Sequence, residues 1–162
     1  MELSGDELAG VVELFGGLTR AELDRAVEEL AFKRGADHDP DALADAVAAA
    51  WENYHLVTVD AASADGAGAR DPEADLLVAG PVAFPTLPEG ATDLPHILDV
   101  PERSVDRETA GEAAHEQLRI DALAAAREGD SDRAATLLDV CYDLEAWAPV
   151  DTAEFRDRLD DV

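Results

Sequence analysis

The distribution of proline limits the fold of this chain more than any other feature. Six of its eight prolines lie between residues 72 and 101. Because proline lacks an amide hydrogen and disfavours helical backbone before it, we predict neither an ordinary helix nor a central strand there. The stretch also carries apolar residues that a flexible linker would not need, so we predict an extended strap packed across a folded domain. These residues are Phe84, Leu87, Leu94, Ile97, Leu98 and Val100.

Before the strap, the sequence predicts three helices, each with a recognisable start. Ser4 and Thr19 each stand three residues before a glutamate, which is the pattern of a capping box. Gly35 predicts the end of the second helix, and Asp39 followed by Pro40 predicts the start of the third. Apolar spacing predicts that Leu43, Ala46, Val47, Ala50, Trp51 and Tyr54 form the buried face of that third helix.

The period of the apolar residues then changes to two. Residues 55–60 and 75–84 alternate in this way, although Gly80 and Pro81 interrupt the second run, and we predict two β-strands. In its order of elements the segment 5–84 resembles a winged-helix domain. Most winged helices bind DNA through their third helix, and others serve protein contact or dimerisation.

Helical spacing returns after Asp106. It predicts one helix to about Glu128, a second capped by Ser131 and a short third that begins near Asp151. The predicted fold class is therefore α+β and mostly helical. We divide the chain into a winged-helix-like unit of three helices and a β-hairpin at 1–84, a proline-rich extended strap at 85–105, and a C-terminal helical hairpin at 106–162, packed on the same core.

The charge composition predicts the solvent in which the protein works. There are 38 acidic and 12 basic residues, a formal net charge of −26, and Lys33 is the only lysine. Such a charge repels itself in dilute buffer, whereas multimolar salt screens it. Because the carboxylates are spread along the whole chain, the composition is typical of a cytosolic protein of an extreme halophile, and we expect it to need high salt for stability. With neither a secretion signal nor a membrane-spanning stretch in the sequence, we expect a cytoplasmic location and no membrane partner.

Two strings of residues carry a resemblance to a family. They are Phe-Pro-Thr-Leu-Pro-Glu-Gly at 84–90, continued to Asp-Val-Pro at 99–101, and Tyr-Asp-Leu-Glu-Ala-Trp-Ala-Pro-Val-Asp at 142–151. With these strings the chain resembles one of the small acidic families of haloarchaea that have no assigned role. The resemblance implies no catalytic residue.

The sequence offers little support for catalysis. Glu-x-x-His occurs at Glu52/His55 and at Glu112/His115, and di-iron proteins place two such pairs in a four-helix bundle. Strand and proline signals between the two pairs argue against that bundle, so a metal-dependent enzyme is our third hypothesis. Cys141 lies on the apolar face of its helix, as expected of a buried structural thiol. We predict no enzyme, no cofactor, and no catalytic or metal-binding residue.

The first functional hypothesis is a non-enzymatic module for protein interaction or dimerisation, with a regulatory role. Its partner is another protein or a second copy of the chain. A basic patch on the second helix, apolar residues of the strap and an aromatic residue beside Pro149 are the candidate contacts. The residues proposed for this surface are Arg20, Arg25, Lys33, Arg34, Leu94, Ile97 and Trp147.

The second hypothesis is a DNA-binding regulator of winged-helix type. It would use the same basic patch together with Arg70, in the loop between the strands. Contact with phosphates requires cations, yet residues 35–69 contain no arginine or lysine. The third helix would also expose Asp41, Asp45 and Glu52, so the sequence favours the first hypothesis over nucleic acid.

Overall fold

Two β-strands form the middle layer of the fold, between two groups of helices. The computed structural model of the protein describes residues 1–64 and 75–162. Strand β1 (Leu56–Asp60) pairs antiparallel with β2 (Asp75–Ala79), so that Leu56 lies opposite Ala79. Residues 65–74 between the strands, which include Arg70 and most of the predicted loop, lie outside the described residues.

Helices make up most of the described part of the chain, and the predicted α+β, mostly helical class is confirmed. The helices are α1 (Gly5–Phe15), α2 (Arg20–Arg34), α3 (Pro40–Glu52), α4 (Leu94–Ile97), α5 (Arg107–Glu128), α6 (Ser131–Trp147) and α7 (Ala153–Asp160). None of the helices in ranges 1–64 and 75–162 combines the length and apolar character needed to cross a bilayer.

The starts of the first three helices form as their sequences predict. Ser4 and Thr19 each accept a hydrogen bond from the amide three residues on, and the glutamate at that position binds back to the cap amide. The Asp39 carboxylate accepts the amide of Asp41 at the start of α3. Gly35 ends α2 in left-handed backbone, with φ 64°. Contacts between residues close together in the sequence thus determine where these helices begin and end.

Buried apolar residues form two clusters, one on each face of the hairpin. Leu56 and Leu77 face α1, α2 and α3, whereas Val57 and Val78 face α5, α6 and α7. Successive side chains of a strand point to opposite faces, so a single hairpin can serve both helical groups. The sequence predicted one shared core; the structure instead has two apolar clusters joined by the hairpin.

The strap, predicted to pack across a folded domain, lies against α1 and α2. The amide of Thr86 donates to the carbonyl oxygen of Asp6 at 3.0 Å, and a Cβ atom at Gly10 would lie 2.1 Å from the Thr86 carbonyl oxygen. Only glycine at position 10 lets the strap approach α1 so closely. The strap is not extended throughout, because Leu94–Ile97 forms one helical turn in which Pro95 occupies the tolerated first turn.

Three predictions of detail are wrong. Strand β2 ends at Ala79 instead of 84, because the chain turns after the Gly80 amide binds the carbonyl of His55. Helix α6 is capped by Asp130, whose carboxylate accepts the Arg133 amide, and not by Ser131. Trp51, predicted to be buried, is 39% exposed because it lies at the edge of the α3 face that the core covers.

Candidate protein-interaction surface at Trp51

A shallow apolar depression of about 360 Å³ lies where α3 meets the hairpin. We call it the Trp51 surface. Its floor comes from the strands, its wall from α3, and its rim from the start of α2 and the start of β2. It is lined by Arg20, Val47, Ala48, Trp51, Thr58, Asp75 and Leu77.

The depression exists because α3 leaves part of the hairpin uncovered. Thr58 and Leu77 are opposite partners in the ladder, and Leu77 faces the α1–α3 side. Helix α3 ends at Glu52 and runs directly into the hairpin, so its last turns form a wall beside these two residues. Trp51 projects from that wall with 39% of its surface exposed.

The end of α3 that carries Trp51 is held from the opposite side of the fold. Gln117 of α5 donates from Nε2 to the Trp51 carbonyl oxygen at 3.0 Å. Arg133 of α6 donates from Nη2 to the Glu52 carbonyl oxygen at 2.9 Å. The last carbonyls of a helix lack partners four residues on. The Trp51 carbonyl also accepts the Tyr54 amide at 3.2 Å, and the C-terminal helices add the two bonds that hold this end. The backbone that carries the aromatic side chain is thus held by α5 and α6.

Tyr54 sets the angle between α3 and the hairpin. It has left-handed backbone with φ 64°, and its hydroxyl donates to Asp121 Oδ2 at 2.5 Å. Burial, reinforced by that hydrogen bond to a carboxylate, raises the pKa of Tyr54 above its ordinary value, so the phenol stays protonated. Arg133 lies 3.6 Å from the same Asp121 oxygen. This network ties the α3–β1 corner to α5 and α6.

The surroundings of the Trp51 surface are negative. Asp41, Asp45 and Glu52 are exposed on α3, and Asp75 lies on the rim. Arg20 is the cation in the lining, and its Nε donates to Asp24 Oδ1 at 2.9 Å. The result is an apolar centre with one paired arginine and one carboxylate in its lining, and further exposed carboxylates along α3.

The structure does not gather the predicted basic patch into one surface. Arg20 lies at the Trp51 surface and Arg25 is exposed farther along α2. Lys33 and Arg34 instead hold the strap, since Lys33 Nζ donates to the Gly90 carbonyl and Arg34 Nε donates to the Glu89 carbonyl, each at 2.8 Å.

The other predicted contact residues lie apart from these. Leu94 of the strap is fully buried against α2 as part of the N-terminal cluster, which corrects its prediction as a contact residue. Ile97, on the same helical turn, is 47% exposed. Trp147 is half-buried, and the guanidinium of Arg107 stands 4.3 Å from its ring centroid.

Trp147 lines a second cleft, of about 390 Å³, between the two helical groups. Arg103 of the strap also lines it, but its side chain is buried and both terminal nitrogens bind the carboxylate of Glu22. Burial raises the pKa of Glu22, but hydrogen bonds from Arg103 and from the Thr19 amide outweigh it and hold that pKa below its ordinary value. Arg103 thus acts as a structural clamp, and nothing in its sequence context predicted it.

The two Glu-x-x-His pairs have separate local roles. His55 lies 3.7 Å from a carboxylate oxygen of Asp6, and His115 Nε2 lies 2.9 Å from the Asp151 carbonyl oxygen. Within residues 1–64 and 75–162, no three histidine, cysteine or acidic side chains come together in a way that could hold a metal ion. Cys141 is buried, and burial raises the pKa of its thiol.

The chain belongs to a family of unknown function, DUF7109, which matches residues 6–162. The expected membership of an uncharacterised family is therefore confirmed. No curated protein and no solved structure matches the chain. The family match spans the N-terminal helices, the hairpin, the strap and the C-terminal helices. It therefore includes both Trp51 and the residues of α5 and α6 that hold the end of α3.

Proposed function

We propose that this protein is an interaction module that binds another protein through the Trp51 surface. The observation that carries the proposal is an exposed tryptophan over an apolar floor, on a helix end fixed by two hydrogen bonds from α5 and α6. Aromatic anchors in well-supported depressions dominate the energetics of protein interfaces. A preorganised anchor also loses little entropy on binding.

The charges around Trp51 favour a protein partner over nucleic acid. A protein that binds DNA must neutralise phosphates with local cations. Asp75 lines the Trp51 surface and Asp45 and Glu52 are exposed on α3, while Arg20 is already paired with Asp24. These carboxylates would repel a phosphate backbone. DNA binding stays a prediction, and it becomes an outcome of the experiment below.

The proposal includes the setting in which the module works. We propose a cytoplasm of high salt, as in an extreme halophile, because a net charge of −26 calls for strong screening. In such a solvent long-range electrostatic attraction is weak. Binding would then depend on apolar burial and on charges in direct contact, which suits an aromatic anchor with a charged rim.

The test is capture of partners from native lysate in multimolar KCl, with and without nuclease, followed by mass spectrometry. Trp51→Ala removes the anchor, and Ala48→Arg adds bulk and charge to the same surface at an exposed helical site. Phe32→Ala is the matched control, because Phe32 is a 79% exposed aromatic residue twelve positions along α2 from Arg20, about 18 Å away.

The expected result is a stoichiometric, nuclease-resistant protein that Phe32→Ala retains and both surface variants lose. Circular dichroism must show that the variants are folded. A partner that survives both surface variants would place the interface elsewhere. Capture that disappears with nuclease would favour the DNA-binding hypothesis instead.

A further inference from the structure

The chemistry of the Trp51 surface also restricts its partner, if the proposed function holds. We infer that the occupant is a short segment of a different protein that presents an apolar side chain flanked by arginine or lysine. The inference rests on the proposed function and adds to it the class of partner. It follows from the apolar centre, from the spacing of the carboxylates on α3, and from the bonds that already engage most cations of α2 within this chain.

The centre of the surface selects an apolar side chain. Val47 and Leu77 are almost fully buried at its base, and Trp51 provides a half-open aromatic wall. The neighbouring Ala48 has a side chain of one methyl group, so it leaves space for a partner to approach α3 closely. A leucine-sized or aromatic side chain would bury its surface here without leaving a polar group unpaired.

The carboxylates on α3 select flanking cations. Asp45 and Glu52 are exposed three residues before and four residues after Ala48, and therefore lie on the same side of the helix. Their backbone positions are about 10 Å apart along the axis, at 1.5 Å per residue. An extended segment spans this distance in three residues and a helix in seven. Asp75 adds a third carboxylate on the hairpin side.

Three of the four cations on α2 are already engaged within the chain, which leaves few of them for the Trp51 surface of a second copy. Arg20 is paired with Asp24, Lys33 and Arg34 are bound to strap carbonyls, and Lys33 also lies 3.5 Å from Asp93. Phe32 of α2 is an exposed apolar side chain that a second copy could offer to the surface. One turn before it on the same helix lie two acidic residues, Glu28 and Glu29. Two copies would also bring together two net charges of −26. Complementarity therefore favours a different protein that supplies its own cations.

The test places a photo-crosslinker in the surface and reads the captured sequence. Ala48→p-benzoylphenylalanine keeps Trp51, Asp45 and Glu52 in place. The matched control carries the same residue at Ala146, an exposed alanine of α6 about 20 Å along the helix from Arg133. Both proteins are produced in the native host, irradiated in multimolar KCl, treated with nuclease and digested for mass spectrometry.

The expected result is a peptide from another protein, crosslinked only at position 48, with an apolar residue at the link and arginine or lysine on both sides of it. A captured segment without those cations would overturn the inference and leave the proposed function standing. A peptide from this chain would overturn it in favour of self-association. If position 48 captures no protein beyond the Ala146 control, the proposed function itself fails.

The flanking charges are then tested on the captured segment, made as a synthetic peptide. Asp45→Asn and Glu52→Gln should each lower its affinity several-fold, because each removes one contact of opposite charge. Asp139→Asn, an exposed carboxylate of α6, should leave the affinity unchanged. Equal affinity for all three variants would overturn the role assigned to the rim.

Discussion

Arg103 of the strap binds Glu22 of α2 through both carboxylate oxygens, with Nη1–Oε1 and Nη2–Oε2 distances of 2.6 and 3.1 Å. Arg103 Nη1 also lies 3.2 Å from the Gly17 carbonyl oxygen. The Arg103 side chain is only 3% exposed. Glu22 Oε1 also accepts the Thr19 amide, so one carboxylate both caps α2 and receives the strap. The clamp therefore couples the start of α2 to the end of the strap.

Arg103→Ala is expected to destabilise the protein by about 3 kcal/mol, because it leaves the Glu22 carboxylate largely buried without its counter-ion. Urea unfolding in multimolar KCl measures the loss. The control is Arg119→Ala, which breaks an exposed, solvent-screened pair with Glu116 and should cost far less. Similar losses for the two variants would show that burial of the Arg103–Glu22 pair has no energetic consequence.

The same clamp predicts a pH dependence. The pKa of Glu22 in the fold lies below its ordinary value of 4.5, so the deprotonated carboxylate stabilises the folded state. That contribution is complete above pH 4.5 and is lost as the pH falls through the lower folded-state pKa. The difference in unfolding free energy between wild type and Glu22→Gln, at constant KCl, should therefore shrink below pH 4.5. A difference that is constant with pH would contradict the assignment.

Helix α5 packs against the end of α6 through a glycine. A Cβ atom at Gly111 would lie 2.5 Å from the Cβ of Ala148, and the next atom, of Val150, is 3.6 Å away. Gly111→Ala should cost about 1–3 kcal/mol by overpacking. Adding Ala148→Gly removes the clashing methyl group, so the double variant should recover part of the loss. A double-mutant cycle by urea unfolding measures this coupling, and strictly additive losses would contradict the contact.

Sequence predicted those parts of the fold that local chemistry decides. The capping residues Ser4, Thr19 and Asp39 determine helix starts through contacts within three residues, so their sequence pattern was sufficient. The continuous apolar run Leu76–Val78 also carried a signal for a strand covered on both faces. This signal favours apolar packing on both faces of the hairpin, whereas the predicted fold has a single shared core.

The candidate site depended on contacts that no local pattern encodes. Trp51 and Val47 lie on the same predicted stripe of α3, yet 39% of Trp51 is exposed and only 6% of Val47. The spacing of apolar residues indicates which side of a helix is buried. It does not indicate how far around the helix the burial extends, because that depends here on the neighbouring hairpin. Likewise Arg103 meets Glu22 across 81 residues, and nothing near Arg103 in the sequence indicates a partner.

The charge of the chain predicts a strong dependence on salt. Raising KCl from 0.1 M to 1 M shortens the Debye length from about 10 Å to about 3 Å, which screens repulsion among the carboxylates. Thermal unfolding midpoints should therefore rise steeply with KCl. Sucrose of equal osmolality is the control, because it stabilises proteins by exclusion from the surface without screening charge. An equal gain in sucrose would show that exclusion, and not the net charge of −26, determines the salt requirement.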